Sequence, residues 1–386
     1  VRPWTKSMGC ILLSALLLLG VPAGVTASVP LETSAESVVL MDPASGAVLF
    51  EKNPHERVAP ASTTKLMTLL VAFDAVNAGR VSMDDKVSTS QRAFEMGGSQ
   101  IYLEPGEEMP LETLLISIAV QSANDACVAV AEHISGSYEA YVEEMNKKAQ
   151  ELGMKNTHFM NPHGLPAENH YTSAYDMALV AREALKYPQL REMVSIRHYK
   201  IREDSDKPMQ LDNHNKLLWW YPGTDGFKTG WTNEAKYCLV STVERENLRL
   251  IASVFGVPEM RGHFKETMKV YNYGFARYGF KLVAKPDEVL GHVPIGKGKV
   301  DDVAIVAKEK PGIIVEKGKD KGVTSTIELL PYMDAPVQAG EKMGELIISQ
   351  DGQEKKRIDL VAQSSVDKGT YSHEMLKIFK SMYGFH

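Results

Sequence analysis

Cysteine is scarce: the 386-residue chain has three. Cys10 lies in an N-terminal apolar stretch, ahead of its main run, which is the wrong side for a lipoprotein signal. Cys127 and Cys238 sit among apolar residues with no nearby histidine pattern, which excludes a Cys-based zinc site and predicts buried free thiols. A disulfide is the alternative if the chain is exported. No basic stripe with interleaved aromatics is present, so nothing points to nucleic acid. No H-E-x-x-H occurs, so His158, His163 and His170 read as structural rather than as zinc ligands or a triad base. Internal repeats and low-complexity tracts are also lacking. The longest apolar run, near the N-terminus, is too short to span a bilayer comfortably.

What remains is an ordinary globular composition, 44% apolar and 24% charged with a net charge of −6, long enough for two or three domains. Residues 1–28 read as a secretory signal: Arg2 and Lys6 precede an apolar segment from Gly9 to Gly20, and Val25-Thr26-Ala27 supplies small residues for cleavage.

Ser37 to Leu40 and Ala47 to Glu51, separated by Asp42-Pro43-Ala44-Ser45-Gly46, predict a hairpin. Helical patterns follow over Leu66 to Asn77, Leu111 to Val120, Ala126 to Ile134, Tyr138 to Leu152 and Ser173 to Leu185. Tyr237 to Val243 and Leu248 to Phe255 predict a second hairpin, joined by Glu244-Arg245-Glu246-Asn247. Hairpin, helices, hairpin implies an α+β domain: an antiparallel sheet built from both ends of the segment and flanked by helices. We assign it to residues 29–276. Residues 277–366, with short strand-like runs between Gly, Pro and Lys turns, read as a small all-β domain. Residues 367–386 form a tail in which Met375, Leu376, Ile378, Phe379, Met382 and Tyr383 gather on one side of a helix. Such a helix either lies on a membrane surface or packs on its own domain.

The chemistry concentrates at Pro60-Ala61-Ser62-Thr63-Thr64-Lys65, ahead of a run that is apolar almost all round. Ser62 and Lys65, three residues apart, share a face at the N-terminus of a buried helix, where N–H groups favour negative charge. A lone S-x-x-K carries little information, and the chain holds a second at Ser365 to Lys368 that reads as solvated linker. The first has two companions in order: Ser122-Ala123-Asn124 at a break between helices, and Lys228-Thr229-Gly230 ahead of the second hairpin.

In these three elements the chain resembles the penicillin-recognising serine enzymes. It is most similar to the low-molecular-mass penicillin-binding proteins that act as D-alanyl-D-alanine carboxypeptidases. Asn161 to Pro166, Asn213 to Leu218 and Tyr221 to Lys228 fit the same pattern. The resemblance implies a β-lactamase/transpeptidase-like domain and no cofactor or metal. It also implies peptidoglycan stem peptide as substrate, β-lactams as covalent inhibitors, and attachment to the outer face of the cytoplasmic membrane through the C-terminal helix. It implies Ser62 as nucleophile and Lys65 as its base. That role needs an amine whose pKa is lowered from about 10.4 to about 7, roughly 4–5 kcal/mol, by burial and by Lys228 as a second cation. Ser122 is then a proton relay, Asn124 a holder of Lys65 and of substrate amide, and Lys228 and Thr229 the carboxylate site. Gly230 lets substrate backbone approach the strand.

Rival readings remain at this stage. A class A-like β-lactamase would need a deacylating carboxylate; Glu168 lies in a suitable region but is followed at once by Asn169, and the S-D-N element is S-A-N here. A D,D-endopeptidase would use the same residues, and a catalytically quiet wall-associated scaffold would not need them. Trp219-Trp220-Tyr221 borders the cleft, faces a membrane or packs in the core.

Overall fold

The computed structural model describes residues 31–370 together with Met375. The expected signal segment and, Met375 apart, the amphipathic stretch from Ser372 lie outside the described residues.

The first hairpin forms as β1 (Ser37–Met41) and β2 (Val48–Lys52). A 3-10 turn over Ala61–Thr64 leads into α1 (Lys65–Asn77), in which every residue from Lys65 to Phe73 is buried. An α-helix that presents apolar groups on all sides must be enclosed on all sides, and this one becomes the centre of the helical layer. A small ribbon, β3 (Lys86–Ser88) with β4 (Glu108–Pro110), brackets the single turn α2 (Gln91–Phe94). Then come α3 (Leu111–Val120), α4 (Asn124–Ser135), α5 (Tyr138–Glu151) and α6 (Ala174–Ala184). Ser137 and Ser173 cap α5 and α6 by accepting from Ala140 N–H and Asp176 N–H. The sequence pattern places α4 two residues late, because Asn124 and Asp125 read as break rather than as its first turn.

Three elements carry weak sequence signals: α7 (Pro188–Ser195) and the ribbon of β5 (His198–Ile201) with β6 (Met209–Asp212). The one-turn α8 (Leu217–Trp220) precedes β7 (Thr224–Thr232), β8 (Lys236–Arg245) and β9 (Leu248–Val257). The β8–β9 hairpin is longer than the apolar pattern indicates. Its connection is only Glu246-Asn247, both with positive φ (49° and 66°), as a tight two-residue turn requires. Glu244 pairs directly with Arg249 across it, so charge rather than apolar contact continues the ladder.

The five strands run in the order β2-β1-β9-β8-β7, each antiparallel to its neighbour, so both ends of the segment build one sheet. The long α9 (Gly262–Arg277) packs on one face. The other face carries Val39, Met41, Val240, Ile251 and Phe255 into the core shared with α1, α3, α4 and α6. This is the expected α+β architecture, with β7 left as an edge strand beside the Ser62 turn.

At Tyr278 the chain passes into an all-β unit. It comprises β10 (Tyr278–Leu282), β11 (Gly291–Gly296), β12 (Asp302–Ala307), β13 (Gly312–Glu316), β14 (Val323–Leu329), β15 (Met333–Asp334), β16 (Lys342–Gln350) and β17 (Gln353–Ala362). Six of them form a sheet in the order β14-β16-β17-β12-β11-β15, and β10 pairs with β13. This unit has its own core of Val, Ile and Leu. Ser365 and Lys368 are exposed beyond β17, as the reading of that second S-x-x-K expects. Among the described residues no helix is long and apolar enough to cross a membrane.

Candidate active site

Ser62 does not lie in the α-helix itself, as the sequence reading has it, but in the 3-10 turn before it; Lys65 is the first α-helical residue. The pairing survives because i and i+3 eclipse in a 3-10 turn. Lys65 Nζ lies 3.0 Å from Ser62 Oγ. It also donates to Asn124 Oδ1 at 2.7 Å and to the His163 carbonyl at 2.5 Å. Asn124 Nδ2 donates to Gly97 O at 2.6 Å, which fixes the amide so that its oxygen faces the lysine.

That arrangement suits a base. A neutral amine has two N–H bonds and one lone pair. Asn124 Oδ1 and His163 O take the two N–H bonds, and the lone pair is left for the Ser62 hydroxyl proton. Lys65 is fully enclosed, and burial lowers its pKa to about 8 against the opposing pull of Cys127 and Asp125. Lys228 is also enclosed and is pushed well below the usual lysine range, by burial first and then by the charge of Lys65. Burial is the first cause at both amines, and each ammonium form opposes the other.

A cleft of about 280 Å³ is lined by Ser62, Ser122, Thr229 and Gly230, together with Ser99, His214, Trp231, Tyr237, His263 and Phe264. Ser122 sits in the break between α3 and α4 with φ of 63°, and Ala61, just before Ser62, has φ of 47°. Non-glycine residues in this region are strained, and such strain gathers at working sites.

Two glycines set the distances. A Cβ on Gly230 would stand 3.1 Å from Pro60 O, Ala61 Cβ and Ser62 N, so this glycine admits the Ser62 turn to the edge of β7. The sequence reading gives it to substrate backbone instead. On the opposite side Gly164 (φ +86°) has no room at all: a Cβ there would fall 1.9 Å from Ala61 O.

The loop from Asn161 to Leu165 contributes through its main chain, which its residue types do not announce. Asn161 Oδ1 accepts from Gly164 N–H at 2.6 Å, and Pro162 O accepts from Thr68 Oγ1 at 2.6 Å, which presses the His163 carbonyl onto Lys65. The imidazoles are structural, as expected. His170 Nδ1 accepts from Met160 N–H and its Nε2 faces Thr64 Oγ1; His163 Nδ1 accepts from Leu165 N–H and its Nε2 faces Tyr138 Oη. Burial pushes them down to about 4 and about 3 respectively, so both are neutral. Glu168 is exposed. Cys127 and Cys238 are buried free thiols. Of the Trp219-Trp220-Tyr221 run, Tyr221 is buried while Trp220 is half exposed.

A serine 3.0 Å from a buried amine, set between a helical layer and the edge strand of an antiparallel sheet, is the arrangement that serine acyl transfer calls for. Residues 23–259 match the D-alanyl-D-alanine carboxypeptidase family, and residues 278–368 match the penicillin-binding protein 5 C-terminal domain. The chain belongs to the D-alanyl-D-alanine carboxypeptidase family. It is 43% identical over 338 residues to the D-alanyl-D-alanine carboxypeptidase DacF of Bacillus subtilis, covering 87% of each chain. The crystal structure of penicillin-binding protein 5 from Haemophilus influenzae superposes with a TM-score of 0.68 at 32% identity, over 88% of this chain and 99% of that one. A peptidoglycan synthesis regulatory factor (PBP3) from Streptococcus pneumoniae superposes with a TM-score of 0.71 at 25% identity, over 86% of this chain and 99% of that one.

Proposed function

We propose that this protein is a serine-type D-alanyl-D-alanine carboxypeptidase that removes the terminal D-alanine from peptidoglycan pentapeptide stems through an acyl-enzyme on Ser62. The observation that carries the reading is the Lys65 amine, enclosed and 3.0 Å from Ser62 Oγ, with its two N–H bonds already engaged.

The substrate's terminal carboxylate rests on Lys228 and Thr229. Its charge favours the ammonium form of Lys228, and a charged Lys228 in turn drives the proton from Lys65. Ser62 Oγ then attacks the penultimate D-alanine carbonyl carbon and its proton passes to Lys65 Nζ. The oxyanion takes hydrogen bonds from Ser62 N–H and from an N–H on the free edge of β7. As the C–N bond breaks, Ser122 relays the proton to the leaving amine, and D-alanine departs. Water attacks the ester, and Ser62 recovers its proton. A β-lactam enters by the same route, but its leaving group stays tethered, and among the described residues no carboxylate lines the cleft at Ser62 to speed release.

The chain works outside the cytoplasmic membrane, exported by residues 1–28 and held to the outer face by residues 372–386. The support is the sequence pattern of those segments. Deleting 372–386 is expected to shift the protein from the membrane to the soluble fraction, and no shift overturns the tether.

The enzyme reading is tested by incubating the mature protein and Ser62→Ala with a peptide ending in D-Ala-D-Ala and with a labelled penicillin. Wild type releases D-alanine and keeps the label; the variant does neither. No release and no label from wild type overturns the proposal, and rapid turnover of the penicillin replaces it with a β-lactamase.

A further inference from the structure

The ladder between β7 and β8 skips one residue. Thr224 stands opposite Val243, and the next pair is Gly226 with Thr242, so Asp225 is the extra residue of a β-bulge. Asp225 and Gly226 both face α7. Arg191 Nε lies 3.9 Å from Asp225 Oδ2, and a Cβ on Gly226 would stand 2.9 Å from Val194 Cγ2, one turn further along that helix. From Gly226 onward the alternation is regular. Lys228 lies opposite Val240 and Gly230 opposite Cys238, and both partners belong to the core on the helical side of the sheet.

The bulge decides which residues meet Ser62. Side chains on a strand alternate with a period of two, so one inserted residue reverses every facing beyond it. A ladder that ran on evenly from Thr224 would pair Lys228 with Leu239 and Thr229 with Cys238. Lys228 would then turn to the α9 side. Thr229 would take the place of Gly230, where even a Cβ stands 3.1 Å from Ser62 N and Pro60 O.

Arg249, on β9, fastens the bulge. Its Nη1 lies 2.9 Å from the Asp225 carboxylate and donates to Thr242 Oγ1, across from the bulge, at 3.0 Å. Its Nη2 donates to Glu244 Oε2 at 2.5 Å. The Arg249 side chain is only 16% exposed, so the pair is largely shielded from screening. A pair that did no more than close the β8–β9 hairpin would be complete with Glu244; Arg249 holds the extra residue as well. Gly226 O, next in line, accepts from Asn215 Nδ2 at 3.1 Å and from Ser241 Oγ at 2.8 Å. We propose that Asp225, through its pair with Arg249, is a positioning residue of the carboxylate site: it locks the bulge whose register turns Lys228 and Gly230 toward Ser62. This rests on the reading of Lys228 and Thr229 as the seat of the substrate's terminal carboxylate.

The test separates that role from general support of the sheet. kcat and KM for diacetyl-L-Lys-D-Ala-D-Ala and for its C-terminal amide are measured in wild type, Asp225→Ala, Lys228→Gln and the double variant. Wild type is expected to prefer the free acid. Asp225→Ala raises KM for the acid about tenfold with a much smaller change in kcat, and affects the amide little, because it moves the groups that hold the carboxylate. In the double variant the loss is no larger than in Lys228→Gln alone, since both changes act through one site. Asp225→Asn, which keeps the shape and an acceptor for Arg249, retains most of the preference. Arg249→Met removes the other half of the pair and repeats Asp225→Ala; it serves if that variant fails to fold. Three results overturn the positioning role: equal losses on acid and amide, losses that add to those of Lys228→Gln, or a preference unchanged in folded Asp225→Ala or Arg249→Met. A wild type with no preference for the acid, or a Lys228→Gln that keeps it, overturns the carboxylate reading and the positioning role with it.

Discussion

Lys65 Nζ donates to the His163 carbonyl, ninety-eight positions further along the chain, at 2.5 Å. That contact, with the one to Asn124, leaves the amine with a single free direction, toward Ser62. A side chain of four methylenes is otherwise flexible, so the two acceptors are what hold its amine in place.

The first consequence concerns pH. Burial lowers Lys65 to about 8, and in the proposed mechanism only its neutral form accepts the Ser62 proton. Acylation by penicillin is therefore expected to rise with pH and level off above about 8. Below that it falls about tenfold per pH unit, and roughly one molecule in ten is competent at pH 7. Stopped-flow acylation rates across pH check this; a flat profile from pH 6 to 9, on the order of one Lys titration range, would exclude Lys65 as the base.

Asn124→Asp places a carboxylate where an amide oxygen now accepts from Lys65. A negative neighbour favours the ammonium form, so the acylation profile is expected to move to higher pH by about one unit or more. Asn124→Ala instead removes an acceptor without adding charge. Comparing the two profiles separates loss of positioning from change of charge.

At the carboxylate end, Lys228→Gln keeps a donor but removes the cation. A charge-assisted hydrogen bond is worth about 1.5–3 kcal/mol. The substitution is expected to raise KM for peptides ending in D-Ala-D-Ala about ten- to hundredfold, with a smaller loss for an amide-terminated analogue. Equal losses on both substrates would place Lys228 elsewhere in the mechanism.

The two glycines differ in kind. Gly164→Ala meets Ala61 O at 1.9 Å with a left-handed backbone, and the obstacle is main chain that cannot swing away. We expect a loss of about 3 kcal/mol or more in urea unfolding. Gly230→Ala meets its neighbours at 3.1 Å, so a shift of a few tenths of an ångström relieves it. Its expected cost in stability is about 1 kcal/mol, while acylation falls, because the neighbour that yields is the Ser62 turn.

Much of the site is legible in the sequence because side-chain chemistry is written there. Ser62, Lys65, Ser122, Asn124, Lys228, Thr229 and Gly230 all fall on or beneath one cleft wall. The rest is not, for physical reasons. The His163 carbonyl is a backbone group and carries no signature; only the turn chemistry of Asn161 to Gly164 hints that the chain reverses there. The seat of Ser62 depends on Ala61 in a left-handed conformation, which alanine does not advertise. In the fold, the apolar pattern stops at Val243, yet β8 runs on to Arg245 because Glu244 and Arg249 pair across the strands.

The turn that presents Ser62 is held on both sides, at Gly164 with no space for a methyl group and at Gly230 with very little. If Ser62 is acylated by both β-lactam and peptide, as proposed, the two share one seat. A substitution in that grip that excludes a β-lactam would then also displace the serine that turns over the peptide, so drug resistance and wall maturation would be coupled there. Selection for escape would be directed outward, to the rim of the cleft, where a change of shape leaves the serine where it is.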